Sequence, residues 1–273
     1  DAGHETWGSM RSAAGLRHFP AAAHARLLSG VDVLDQDALL TVMARVKPEV
    51  VINCVGLIKQ LADAGDPLTA LPINAMLPHR LARLCALAGA RLIHVSTDCV
   101  FSGRKGMYVE SDVSDAEDLY GKSKYIGEVH DAAHAITLRT SIIGHELDSS
   151  HALVDWFLSQ QGQVRGFTRA VFSGLPTIEL ARVMKDHVLP RPALHGLYHV
   201  AAEPIDKMVD TTGAGDLFAA GVLTGLAVGR PIADNTALAA RCDGAGSPLP
   251  NWESAKETSS TCRARAAGSE KDA

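Results

Sequence analysis

Apolar positions along this chain follow two alternating rhythms. Short runs rich in β-branched and aliphatic residues, at Glu5 to Ser9, Ala25 to Gly30, Val50 to Cys54, Arg91 to Ser96, Ala135 to Leu138 and Gly196 to Val200, read as strands. Between them, Gln36 to Val46, Leu77 to Ala88, Gly121 to Ala133, His151 to Ser159 and Ile178 to His187 carry apolar residues at helical spacing. Strand and helix in regular alternation predict an α/β fold, a doubly wound parallel sheet with helices on both faces. The run Val50-Val51-Ile52-Asn53-Cys54 is apolar on consecutive positions, as a strand covered on both faces should be.

The pattern changes twice. Up to Lys207 the chain reads as continuous α/β; Met208 to Arg241 is a Gly/Ala-rich helical stretch; from Cys242 onward Gly, Ser, Thr, Pro and alternating charge dominate, and this tail is expected to be disordered. A content of 47% hydrophobic and 21% charged residues over 273 positions is enough to bury a sizeable core. Lys plus Arg number 26 against 31 Asp plus Glu, a net charge of −5 with no long basic run, which argues against nucleic acid as a partner. The longest nearly uncharged stretch, Leu217 to Gly229, is too short to cross a hydrocarbon core of ~30 Å, so no membrane span is expected. Five cysteines without a CxxC pair give no disulfide framework or zinc knot, and a reducing cytoplasm is the expected setting. The opening residues carry no basic-then-apolar leader and read as entering partway through a domain. The twelve histidines show no metal-ligand spacing, so no metal is expected.

The chemistry concentrates in two segments. Leu92-Ile93-His94-Val95-Ser96-Thr97-Asp98 is a strand ending in hydroxyl residues, and Tyr120-Gly121-Lys122-Ser123-Lys124 follows it. In Tyr-x-x-x-Lys the two side chains share a helical face at roughly 6 Å between Cβ atoms. An ammonium beside a phenol favours the phenolate, and a hydroxyl donor stabilises the same oxygen, so Tyr120 is expected to have a lowered pKa and to act as a general acid and base. Tyr-x-x-x-Lys also arises by chance in helices. Its position after a strand ending in Ser-Thr, where the ligands of a doubly wound sheet gather, favours the functional reading.

These residues carry a resemblance. Val95-Ser96-Thr97-Asp98-Cys99-Val100-Phe101-Ser102-Gly103, the Tyr120-to-Lys124 segment with Gly127-Glu128, and Leu138-Arg139-Thr140-Ser141 with Gly144 resemble the extended short-chain dehydrogenase/reductases, in the subgroup of dTDP-4-dehydrorhamnose reductase and related nucleotide-sugar enzymes. The resemblance runs from about His4 to Lys207. It implies a Rossmann-like NAD(P)-binding domain over residues 1–150, a partial substrate-binding region over 151–207, and NADP or NAD as cofactor. It further implies a nucleotide-sugar substrate and is compatible with a homodimer. Tyr120 would be the acid and base, Lys124 would hold the nicotinamide ribose and lower the phenol pKa, and Thr97, or failing it Ser96, would polarise the substrate oxygen. Asp32-Val33 would meet adenine, and Asn53-Cys54-Val55-Gly56 would turn beneath the cofactor ribose, with Gly56 allowing close backbone approach. Arg11 is placed to meet a 2′-phosphate, where an NAD-specific site would more often show an acidic residue. Asn74 could equally be a helix cap. Gly166-Phe167-Thr168 and Gly174-Leu175-Pro176-Thr177 fall where the subgroup's sugar-nucleotide pocket forms.

Two departures qualify the resemblance. The family's first strand and its Gly-rich pyrophosphate turn do not occur in this sequence, which predicts an incomplete sheet and weak cofactor binding. Beyond Lys207, Val209 to Gly221 resembles the signature of ribokinase-type sugar and nucleoside kinases, with Gly213, Ala214, Gly215 and Asp216 in its anion-turn and base positions. No other part of the sequence resembles such a kinase, so a join near Lys207-Met208 is expected, with 208–241 a ribokinase-like segment and 242–273 a tail. The alternatives to a reductase are an epimerase or dehydratase of the same superfamily, a non-catalytic Rossmann subunit, and a kinase fragment.

Overall fold

The computed structural model describes residues 3–59, 61–167, 172–202 and 259–263. Gly213 to Asp216, with the whole of 203–258, lie outside the described residues. Two compact units interleave along the chain: residues 1–100, 117–139 and 183–198 form the first, and 101–116, 140–182 and 199–273 the second.

The elements in order are β1 (Gly8–Met10), β2 (Leu27–Ser29), α1 (Gln36–Val46), β3 (Val50–Asn53), α2 (Pro67–Ala70), α3 (Leu77–Ala88), β4 (Arg91–Thr97) and α4 (Leu119–Ile126). There follow β5 (Ala135–Thr140), β6 (Ile142–Ile143), α5 (Leu153–Ser159), β7 (Gln163–Phe167), β8 (Leu175–Pro176), α6 (Thr177–Val183), β9 (Gly196–His199) and β10 (Ser259–Arg263). Local chemistry sets the limits of α1. Asp35 accepts from the backbone N–H groups of Asp37 and Ala38 at its start, and Lys47 in the left-handed region closes its end. α3 ends in the same way at Gly89, φ 68°. Between α2 and α3 the run Leu71–Met76 widens to a π-helical turn, where Pro72 removes a backbone donor.

In the first unit β1 pairs parallel with β2, and β3 pairs parallel with β4 in a separate sheet ordered β3-β4-β5-β9. The outer edge of β3 has no partner strand among the described residues, and Ile52 on it is 46% exposed. The core beneath lies between α1, α3 and β4. Leu39, Leu77, Leu81, Leu84, Cys85 and Leu92 are buried there, and Val33, Met43 and Val51 pack against them.

In the second unit, the loop 101–116 is tied by Ser102, whose hydroxyl donates to Asp115 at 2.5 Å, and by Phe101 stacked on Tyr108 at 4.1 Å between ring centroids. β6 pairs parallel with β8, and β7 pairs antiparallel with β10. Of the tail expected to be disordered, the described piece is thus a strand. Two further expectations change. The helix expected over 121–133 is α4, which stops at Ile126 because Gly127 packs against the chain at Asn74. The helix expected over 178–187 is α6 followed by a π-helical turn, Met184–Val188.

Candidate functional site

The site lies at the carboxyl ends of β3 and β4, in the first unit. β4 ends on Thr97, which is buried. Its Oγ1 accepts the Cys99 backbone N–H at 3.1 Å and donates to Asp98 Oδ1 at 3.3 Å. The helix α4 that brings Tyr120 and Lys124 is started by Asp118, whose Oδ1 accepts from Gly121 N at 2.7 Å while Oδ2 pairs with Lys59 Nζ at 2.6 Å. Its far end sits directly on the π-helical turn: a Cβ on Gly127 would fall 2.0 Å from the Asn74 carbonyl oxygen. That glycine is the closest backbone approach in the site; Gly127 is part of the sequence resemblance, but the helix expected from the sequence runs on past it.

Asn74 is no helix cap. It is 1% exposed, accepts Leu57 N–H at 2.8 Å, donates to Leu57 O at 3.1 Å and donates to Ser123 Oγ at 3.2 Å, so one side chain pins the turn after β3 to α4. The turn itself begins at Asn53, whose Oδ1 accepts from Val55 N at 3.1 Å. Gly56 then passes beside Lys124: a Cβ there would lie 3.7 Å from the ammonium and 3.5 Å from Asn74 Oδ1, ordinary contact distances.

Lys124 is 5% exposed and its Nζ donates to Val95 O at 2.9 Å. Burial pulls its pKa down to about 8, opposed by the charge of Glu128. The expected lowering of the Tyr120 phenol is not found. Its pKa is pushed up, by burial first and then by the nearby Cys99, Asp98 and Asp118, with a hydrogen bond from Thr97 pulling the other way. Burial outweighs the Thr97 hydrogen bond, and the Lys124 ammonium is engaged with the Val95 carbonyl. The Cys99 thiol is also raised, to about 12, chiefly by burial, and Cys54 is raised by burial and lowered in part by Lys124.

The structure thus gathers Thr97, Tyr120, Lys124, Cys54 and Gly56 in one place, with Val55 on the same turn. Ser96, the alternative to Thr97, is turned away: its hydroxyl donates to the buried carboxylate of Glu128 at 2.8 Å. Arg11 and Asp32-Val33 follow β1 and β2, in the other sheet. Arg11 is exposed, Asp32 Oδ1 accepts from Leu34 N at 2.9 Å, and Val33 packs on the core. Among the described residues no three His, Cys, Asp or Glu are grouped to hold a metal ion, and no helix is long and apolar enough to cross a membrane.

A family model described as the RmlD substrate binding domain matches residues 11–212. The chain belongs to the RmlD substrate-binding-domain family. Similar proteins include methionine adenosyltransferase 2 subunit beta of Danio rerio, 31% identical over 200 residues, which cover 68% of this chain and 61% of that protein. They also include dTDP-4-dehydrorhamnose reductase of Aggregatibacter actinomycetemcomitans, 26% identical over 191 residues, 67% of this chain and 65% of that protein. The chain therefore spans about three fifths of the length of such relatives. Among solved structures, dTDP-4-dehydrorhamnose reductase from Bacillus anthracis str. Ames in complex with NADP superposes with a TM-score of 0.59 at 22% identity, over 74% of this chain and 72% of that one. The RmlD-family fold is accordingly α/β and Rossmann-like, as the alternation of strand and helix predicts. A second model, the pfkB family carbohydrate kinase, matches residues 193–243, the region of the ribokinase-like signature.

Proposed function

We propose that this RmlD-family chain is built for NAD(P)H-dependent reduction of a nucleotide-linked 4-keto sugar. The observation that carries the reading is the convergence of Thr97 at the end of β4 with Tyr120 and Lys124 on α4, at the carboxyl edge of a parallel sheet. The residues present suit the nicotinamide-ribose half of a dinucleotide. Lys124 commits one of its three N–H donors to Val95 O and lies beside the Gly56 turn, a donor set suited to ribose hydroxyls. Arg11 and Asp32-Val33, beyond β1 and β2, would take the adenosine end, and Cys54-Val55-Gly56 the turn beneath the ribose.

Bound NAD(P)H supplies the hydride to the sugar carbonyl carbon. Tyr120 gives its phenolic proton to the carbonyl oxygen as negative charge develops there, and Thr97 polarises that oxygen with its hydroxyl. With its pKa raised, Tyr120 is a proton donor at rest. Giving up that proton needs the Lys124 charge and the Thr97 hydroxyl to favour the transient phenolate, which then takes a proton back from water.

A second reading has its own support: a non-catalytic Rossmann subunit, favoured by the relative named as a subunit of methionine adenosyltransferase and by the engagement of the Lys124 ammonium with the Val95 carbonyl. One experiment separates them. The purified chain is mixed with NADPH and a dTDP-4-keto-6-deoxyhexose, and loss of reduced-nicotinamide absorbance is followed for the wild type and Tyr120→Phe. Turnover abolished by the substitution supports the reductase; cofactor binding by both forms without turnover supports the subunit.

A further inference from the structure

Tyr120, Lys124 and Glu128 recur at four-residue intervals, and the third has no role in the reaction just described. Glu128 lies just beyond α4 and is 4% exposed. Both of its oxygens are held. Arg139 on β5 donates Nε to Oε1 at 2.8 Å and a terminal nitrogen to Oε2 at 2.7 Å, and Ser96 on β4 donates its hydroxyl to Oε1 at 2.8 Å. Arg139 is equally buried. An ion pair removed from water this fully gains little over apolar packing, so stability alone does not account for it.

Its placement does. Ser96 stands between Val95, whose carbonyl receives the Lys124 ammonium, and Thr97. The titratable and charged groups that face Lys124 are Glu128 beyond its own helix, Cys54 after β3 and His94 on β4. Burial holds the Cys54 thiol and the His94 imidazole in their neutral forms at neutral pH. Glu128 is the charge that opposes desolvation of the ammonium. A buried Lys-Glu pair alone can neutralise itself by passing the proton across; a guanidinium, which does not deprotonate, keeps the carboxylate ionised and so leaves the proton on lysine.

We propose that Glu128 is a positioning residue that keeps Lys124 a charged ammonium seated on the Val95 carbonyl, with Arg139 and Ser96 fixing the carboxylate for that purpose. The use of that charge in catalysis rests on the reductase reading; the charge itself does not.

The test is a pH titration of the Lys124 side-chain resonance in the full chain labelled with ¹³C-lysine, assigned by its loss in Lys124→Arg. Wild type should titrate near pH 8. Glu128→Gln should lower the midpoint by about one pH unit or more, and Glu128→Asp, which keeps the charge, should restore most of it. The double variant Glu128→Gln/Arg139→Met leaves no unpaired guanidinium buried beside the lost carboxylate; it decides the matter if Glu128→Gln does not fold, and its midpoint should also fall. A folded Glu128→Gln or double variant with an unmoved Lys124 midpoint overturns the proposal. Because the readout needs no turnover, a wild-type chain that fails to oxidise NADPH would remove the reductase reading and leave this result standing.

Discussion

Lowering the pH from about 7.5 to about 5 is expected to destabilise this protein by about 2 kcal/mol through one side chain, His94. The imidazole sits in β4 with no exposed surface, its Nδ1 3.1 Å from Asn53 Nδ2. Asn53 Oδ1 already accepts from Val55 N, which makes Nδ2 the donor, His94 Nδ1 the acceptor and Nε2 the protonated nitrogen. A second proton would place a charge in the core and set two donors against each other. Burial first, then the charges of Lys124 and His79, hold the folded pKa at about 3 against 6.5 for a free imidazole. The unfolded chain therefore takes up the proton first. Stability from this group is complete above about pH 6.5 and is lost progressively as the pH falls toward 3. At pH 5 the loss is about 1.5 units at about 1.36 kcal/mol each, or roughly 2 kcal/mol. Urea unfolding of wild type and His94→Leu at the two pH values measures it. The variant starts lower because Asn53 loses its acceptor, but that offset cancels in the pH difference. Carboxylates contribute little over this range, since Asp115 and Asp118 have pKa values below the ordinary one. Equal pH losses in the two proteins would refute the reasoning.

Two further outcomes test the packing that positions the site. Gly127→Ala should destabilise by about 3 kcal/mol, the upper range for overpacking, because the clash at Asn74 O is with backbone; a urea midpoint within error of wild type would contradict it. Asn74→Ala should cost about 1–3 kcal/mol and speed hydrogen exchange at the Leu57 amide, which loses its acceptor, while exchange in α1 stays unchanged.

The sequence was most legible where local signals agree. α1 and α3 run over the residues expected, since Asp35 and Lys47 bound the first and Gly89 the second. The six strands expected fall within a few residues of their apolar runs, while β7 and β10 were not expected. Burial is what the sequence hides. Tyr-x-x-x-Lys announces the pair by spacing, but the direction of the phenol shift depends on how dry the site is and on what Lys124 touches, and neither is periodic. Asn74, two residues after Pro72, looks like a cap and is a buried clamp, because its partners lie 17 and 49 positions away in sequence. Strands of two residues such as β6 and β8 leave no periodicity to read. The role of Glu128 required knowing that Arg139 comes from the neighbouring strand.

The outer edge of β3 has a bearing on handling. Val50-Val51-Ile52-Asn53 is an uncharged, proline-free strand whose N–H and C=O groups on one side meet no other strand among the described residues. Natural sheets commonly guard such an edge with lysine, proline or a bulge, because an open ladder templates pairing with the next molecule. In this chain that templating site adjoins the turn carrying Cys54, Val55 and Gly56, so self-association through β3 would draw on the same backbone that shapes the site. At high concentration such pairing should weaken ligand binding at this turn, which a titration of ligand affinity against protein concentration would show.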